Sequence, residues 1–198
     1  MNIKTFTAHL VDVTSRPDRA SIIKSAIRQT VKELHSAALF SRDLVNDPIT
    51  LDNPSYPVGF NLPPNFRRLL SVQPIDQNGQ IVRVPDTHNG ALRLLEPAEL
   101  AFNSRNPYRN YAYIGGSTIV ASTTTGVNRF LISYYKFPDV NDDYLETWLM
   151  TAEEDTVQQG ALAKFYGDDQ NQSLSAYYER QYQAAKLRIA SEYAGAGV

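Results

Sequence analysis

At 198 residues, with 42% hydrophobic and 20% charged side chains, the chain is long enough to bury a sizeable core and too apolar to be disordered. Its formal net charge of −2 gives no global reason to bind nucleic acid, and the absence of cysteine excludes disulfides and thiolate metal sites. No apolar run approaches the roughly 20 residues that cross a bilayer, and MNIKTFTAHLVDV lacks the apolar core of a secretory signal, so the expectation is a soluble protein without export or membrane contact.

The first clear element is a helix near Asp18 to Ala38. Asp18 can cap it, and Ala20, Ile23, Ile27, Val31 and Leu34 recur at three- and four-residue spacing, with Ile22 and Ala26 widening the stripe. After Phe40, five prolines in SRDLVNDPITLDNPSYPVGFNLPPNF rule out a long helix, and short strands and turns are expected to Pro138. Asn78-Gly79 predicts a hairpin joining Arg68–Val72 to Gln80–Val84, since both turn residues tolerate positive φ. Glu96 to Phe102 reads as a short helix with Pro97 in its first turn. Tyr111–Ile114 and Ser117–Thr123 flank Gly115-Gly116 as a second hairpin. Phe130–Phe137 is a final strand, with Phe130, Ile132 and Tyr134 on one face.

Two helices close the chain. Asn141 or Asp142 caps the first, predicted over Asp143–Tyr166 at roughly 36 Å if continuous, with Gly167 just past its end. Gly160 inside it either weakens it by about 1 kcal/mol or marks the close approach of another backbone. The second helix, Ser173–Tyr193, is expected to bury Leu174, Tyr177, Tyr178, Gln181, Tyr182, Ala185 and Ile189. Core is the expected role for at least two of Tyr177, Tyr178 and Tyr182. A short connection makes the two helices antiparallel neighbours. The fold class is α+β: a small helical bundle, residues 1–39 and 139–198, in which the N-terminal helix packs on the C-terminal helical hairpin, with residues 40–138 as a β-rich insertion lobe.

Candidate chemistry is sparse. His9, His35 and His88 are isolated, with no second His or carboxylate at metal-ligand spacing, and His35 suits a helix C-terminus. Tyr113-Ile-Gly115-Gly116-Ser117 is flanked by strands, so it reads as a tight turn rather than a phosphate cradle. The paired carboxylates Asp142/Asp143, Glu153/Glu154 and Asp168/Asp169 read as solvated faces rather than as two acids facing across a groove. Arg105, Tyr108, Arg109 and Tyr111 could contact a nucleic-acid backbone and its bases, though an exposed protein-facing loop is the simpler reading. No catalytic, cofactor or metal residue is assigned. Charge is unevenly spread: Asp139 to Asp169 holds nine acids against the single base Lys164, while Leu51 to Pro138 holds eight bases and five acids. Twelve Tyr and eight Phe suit half-buried contact surfaces.

One succession carries a resemblance: Tyr134-Tyr135-Lys-Phe-Pro138, Tyr144, Trp148-Leu149, Gly160-Ala161-Leu162 and Tyr166, then Tyr178 and Tyr182. With it, the C-terminal third resembles the helical end of head-to-tail adaptor proteins of tailed bacteriophages, also called head completion or connector proteins. The opening resembles the same family, which commonly begins with a short extended segment and an amphipathic helix. The resemblance covers about half the chain and leaves out the β-rich middle. It implies a non-enzymatic virion protein of the neck, made in the host cytoplasm. As a ring of twelve copies docked beneath the portal protein, it would extend the DNA channel and offer a platform for tail or neck proteins. Family members often stay monomeric until they meet the portal. Because C-terminal segments commonly dock there, Ile189, Tyr193, Gly195, Ala196, Gly197 and Val198 are the expected portal-binding residues. A channel that DNA traverses without being held should avoid phosphate-binding cations, so Glu146, Glu153, Glu154 and Asp155 are the expected channel-facing residues. The alternatives are another ring-forming neck or tail-tube component and, from a different class, a virion-associated hydrolase or a carbohydrate- or nucleic-acid-binding module.

Overall fold

The computed structural model describes residues 1–52, 55–85, 87, 89–96, 98–99 and 109–194. The protein is mixed α+β, 44% helix and 24% strand, with five helices and two sheets among the described residues. Two compact units are distinguished: Met1–Asp43 with Phe137–Val198, and Leu44–Lys136.

The first unit begins with a helix absent from the sequence expectations. In α1 (Ile3–Thr14) the Asn2 side chain accepts from the Thr5 N–H at 2.9 Å, and Ile3, Phe6, Thr7 and Leu10 are buried on one face. The expected extended start is therefore helical. A 3₁₀ turn, Pro17–Arg19, leads into α2 (Ala20–Ala37). Asp18 does not cap α2; its carboxylate lies 3.1 Å from Arg16 and 3.7 Å from Arg19. The expected stripe of α2 is otherwise present, with Ile23, Ala26, Ile27, Val31 and Leu34 buried.

The expected 24-residue helix after Pro138 is interrupted. Asp143 sits in a loop, where its carboxylate takes Lys24 at 2.6 Å and Arg28 at 2.7 Å and its carbonyl takes the Lys4 N–H at 2.9 Å. Those bonds to α1 and α2 hold the segment out of a helix until Thr147 caps the short α3 (Trp148–Ala152). At Glu153, with φ −131° and ψ 44°, the helix breaks, and α4 (Glu154–Asp168) begins at the next residue. Gly167 stays inside α4; the reversal is made by Asp169 and by Gln170 at φ +58°. Asn171 caps α5 (Gln172–Tyr193). Gly160 is where α4 meets its neighbours, and a β-carbon there would lie 2.5 Å from Thr30 Cγ2 and 2.8 Å from the Tyr182 ring. The close approach is thus by side chains rather than by another backbone. Phe6, Ile27, Leu34, Leu149, Phe165 and Tyr182 contribute to one continuous core. α5 buries far less than its pattern suggests. Only Tyr182 and Ile189 are buried, while Leu174, Tyr177 and Leu187 are 38%, 58% and 72% exposed.

The second unit holds two sheets. Antiparallel β1 (Leu44–Thr50), β7 (Arg129–Lys136) and β3 (Phe66–Pro74) form one, with β7 central. The other runs β2 (Val58–Asn61), β6 (Thr118–Ser122), β5 (Tyr111–Gly115), β4 (Arg93–Leu94), with β4 parallel to β5. Phe130, Ile132 and Tyr134 of β7 share a buried face with Val72, Phe60, Ile119 and Ala121. Burial pushes the Tyr134 hydroxyl up to about 12, helped by its 2.6 Å hydrogen bond to Asp47. The β5–β6 hairpin closes through Gly116 at φ +63° and Ser117, the tight turn expected. Asn78-Gly79 also turns, braced by the Asp76 carboxylate, which accepts from the Asn78 and Gln80 N–H groups at 2.8 Å. Its second arm is not a strand. It pairs only at Ile75 with Ile81 and through Val82 to Pro74, and the Val72 carbonyl is taken instead by the Leu92 N–H. The expected helix over Glu96–Phe102 and the Asn103–Tyr108 loop fall mostly outside the described residues.

Candidate functional site

Several of the expected site residues converge where α3 gives way to α4 and α5 ends. Glu153 occupies the break itself, 8% exposed, and the Arg188 guanidinium reaches its two oxygens at 2.5 and 3.3 Å. The Thr156 and Tyr193 hydroxyls complete its partners, and Arg188 also meets Glu192 at 2.8 Å. Burial alone would raise the Glu153 carboxyl, but the Arg188 hydrogen bond and charge, with the two hydroxyls, hold it below its ordinary value. The same carboxylate raises the Tyr193 hydroxyl. Glu153 is therefore a buried clasp on the end of α5 and presents no open charge.

Beside it lies an aromatic cluster. The Trp148 ring sits 5.2 Å from Phe40 and 5.3 Å from Tyr193, and the Arg42 guanidinium lies 5.3 Å over it. Its indole N–H donates to Asp43 Oδ1 at 2.8 Å, while Asp43 Oδ2 meets His35 Nδ1 at 2.8 Å. Ala194 bridges antiparallel to Phe40, so the last described residue is tied to the exit of α2. A His–carboxylate pair can serve as a catalytic base with its orienting acid, but the His35 and Asp43 side chains are only 2% and 5% exposed and the Phe40 and Trp148 rings pack against the imidazole. The pair holds the chain leaving α2. His35 lies in the last turn of α2, as expected, and is there a buried partner of Asp43. His9 is exposed, its ring 6.4 Å from Phe6, and His88 lies outside the described residues. Among the described residues no group of three His, Asp or Glu could hold a metal ion.

Ile189, expected on a partner-binding surface, is wholly buried in the core and offers none. Tyr193 is half-buried against Trp148. Gly195, Ala196, Gly197 and Val198 fall outside the described residues. Among the expected channel-facing acids, Glu146 and Asp155 are exposed, Glu154 is half-buried and Glu153 is enclosed. The acidic run is partly neutralised in space: Asp143 by Lys24 and Arg28, Glu153 by Arg188, and Asp169 by Arg16 at 3.1 Å and Arg19 at 3.5 Å. Arg16, Arg19, Lys24, Arg28 and Arg188 all lie outside the run, so its nine-to-one imbalance does not reveal them.

Some apolar and phenolic side chains also remain open to solvent. Phe165, Tyr166, Tyr178 and Tyr177 form a ladder of rings with successive centroids 5.2, 5.8 and 5.2 Å apart, running from the core to solvent. Of Tyr177, Tyr178 and Tyr182, only the last is fully buried. A groove of about 520 Å³ between α1 and α2 is lined by Thr7, Ala8, Val11 and Ala20, with Lys4 and Lys24 at its rim. In the other unit, the Tyr111 and Tyr113 rings lie 6.2 Å apart and nearly parallel, half-buried, on the β5 face opposite buried Ala112. Compared with models of protein families and with curated proteins, the chain matches none.

Proposed function

We propose that the chain is a non-enzymatic structural protein of the phage neck: a head-to-tail adaptor that docks as a ring beneath the portal, extends the DNA channel and carries tail or neck proteins. In this reading residues 1–39 and 139–198 form the helical bundle, and 40–138 are a β-rich insertion. The supporting observation is α5, a 22-residue helix that buries two side chains and leaves Tyr177 and Leu187 more than half exposed. Long helices are ordinarily stabilised by an apolar face packed on a partner, so one so little covered fits a surface that another subunit completes. Portal contact is accordingly assigned to the outer side of α5 and the Gly195–Val198 tail, with Ile189 removed from the set. Glu146 and Asp155, both exposed, keep the channel-facing role. The test is to mix the protein with its portal and image the complex by electron microscopy. A decorated twelvefold ring is the expected outcome, and portal particles left bare under the same conditions reject the adaptor reading.

One observation favours a second reading. The parallel Tyr111 and Tyr113 rings, beside Thr118, Val120 and Ser122 of β6, could stack on sugars or bases, which supports a carbohydrate- or nucleic-acid-binding module. Titration of Tyr fluorescence with neutral glycans and single-stranded oligonucleotides separates the two readings, since the adaptor reading expects no saturable response.

A further inference from the structure

The sequence contains two Asn-Gly steps, Asn78-Gly79 and Asn89-Gly90. At such a step the glycine amide nitrogen can approach the asparagine side-chain carbonyl closely, because glycine has no β-carbon to obstruct it. A bond then forms from that nitrogen to Cγ, and the Cγ–NH₂ bond breaks. The proton lost by the backbone nitrogen passes through water to the departing ammonia. Water opens the resulting succinimide at either carbonyl, leaving aspartate or isoaspartate. No reactant other than water is consumed. We propose that Asn78 is a spontaneous deamidation site of this protein, whereas Asn89, with the same following residue, is protected by the packing of Gly90.

The two steps differ in what holds them. Both asparagines are exposed, but Gly79 is exposed too and a β-carbon added there would meet nothing within 4 Å, so this backbone has room to rotate. Its restraints are bonds at an exposed turn: Gly79 N–H to the Asp76 carbonyl at 3.1 Å, and the Asp76 carboxylate on Asn78 and Gln80. Exposed turn bonds open locally at low cost, and opening the first releases the nucleophilic nitrogen. Gly90 is buried, at φ +73° after Asn89 at +52°. A β-carbon there would lie 2.5 Å from Ile81 Cγ2 and 3.3 Å from the Val82 carbonyl oxygen. The Asn89 carbonyl accepts from Gln73 at 3.4 Å, and Val82 and Leu92 nearby are hydrogen-bonded to Pro74 and Val72. Ring closure rotates the Asn-Gly peptide. At Asn89 that rotation disturbs packing and the edge of β3; at Asn78 it disturbs an exposed turn. The product adds a negative charge beside Asp76, next to the Gln77 carbonyl that Arg129 holds at 2.7 Å.

The folded full-length chain is incubated in mildly alkaline buffer, then digested, and each Asn-Gly peptide is followed by mass spectrometry and by enzymatic methylation of isoaspartate. Conversion at position 78 should lead that at 89 by roughly tenfold or more, the rate ratio that about 1.4 kcal/mol of extra barrier produces. In concentrated urea the two should convert at comparable rates. Asn78→Gln should remove the acidic species that accumulates on isoelectric focusing. Equal conversion of both sites in the folded chain, or none at 78, overturns the proposal. A preference for 78 that persists in urea overturns the claim that packing protects Asn89.

Discussion

Replacing Gly160 by alanine sets two local effects against each other. In an unobstructed helix the exchange favours folding by about 1 kcal/mol, since alanine restricts the unfolded chain and favours helical backbone. Here the new methyl would lie 2.5 Å from Thr30 Cγ2 and 2.8 Å from two carbons of the Tyr182 ring. Carbon atoms rest at about 3.5–4.0 Å, so either the helices separate or Tyr182 turns. Turning is opposed, because that ring is fully buried and its hydroxyl donates to Glu33 at 3.2 Å. Overpacking costs roughly 1–3 kcal/mol, and the resistance of Tyr182 to turning puts this site in the upper part of that range, at about 2–3 kcal/mol, so the net expectation for Gly160→Ala is a loss of about 1–2 kcal/mol. Trp148, the single tryptophan, belongs to the same unit and reports its unfolding by fluorescence. The thermal midpoint should fall by roughly 2–8 °C in a chain of this size. Adding Thr30→Ser removes the nearer methyl and should restore part of the loss. A Gly160→Ala protein that unfolds at or above the wild-type midpoint would refute the packing argument.

Further expectations concern the clasp, the aromatic cluster and the exposed helix. The folded Glu153 carboxyl is held below its unfolded value of 4.5, so its contribution is present above that pH and is lost as pH falls through the lower folded value. Glu153→Gln should therefore cost about 1 kcal/mol near neutrality, a modest figure because Arg188 is partly solvated, and the difference in urea midpoint from wild type should close in acid. A gap that widens on acidification would contradict the linkage. Asp43→Ala strips the buried His35 imidazole and the Trp148 indole of their shared acceptor and should cost about 2–4 kcal/mol, measured by the same fluorescence transition. Tyr177→Ser and Leu187→Ser should change stability by no more than about 0.5 kcal/mol, yet abolish decoration of portal rings; unchanged decoration would exclude the outer side of α5 from the contact.

Elements were most legible where their cause is local. The three- and four-residue spacing of Ile23, Ile27, Val31 and Leu34 marks α2, the alternation of Phe130, Ile132 and Tyr134 marks β7, and Gly116 marks the β5–β6 turn. Helix α1 carries a local signal too, Asn2 followed by Ile3, Phe6 and Leu10. The break at Glu153 was not legible, because Asp143 is drawn out of the helix by Lys24, 119 residues earlier, and Glu153 is enclosed by Arg188, 35 residues later. The same distance effect hides the His35–Asp43–Trp148 cluster, since Trp148 lies 105 residues beyond Asp43.

The amino-acid order by itself therefore determined the mixed α+β class, the positions of most turns and strands, and an aromatic-rich C-terminal third. The tertiary structure decided which charges and rings are available. Asp143, Glu153 and Asp169 of the Asp139–Asp169 run are paired with Lys or Arg side chains from other segments, Ile189 is enclosed, and Tyr177 and Leu187 are left outside. The physical reason is that periodicity constrains a helix to have an apolar side, whereas burial of any one residue depends on how far its partner extends. α4 runs alongside α5 from Ser175, which bonds to Ala163, to Arg188, which bonds to Glu153, yet at 3.6 residues per turn Tyr177 and Leu187 each lie about 140° around the helix from buried Tyr182, outside its cover.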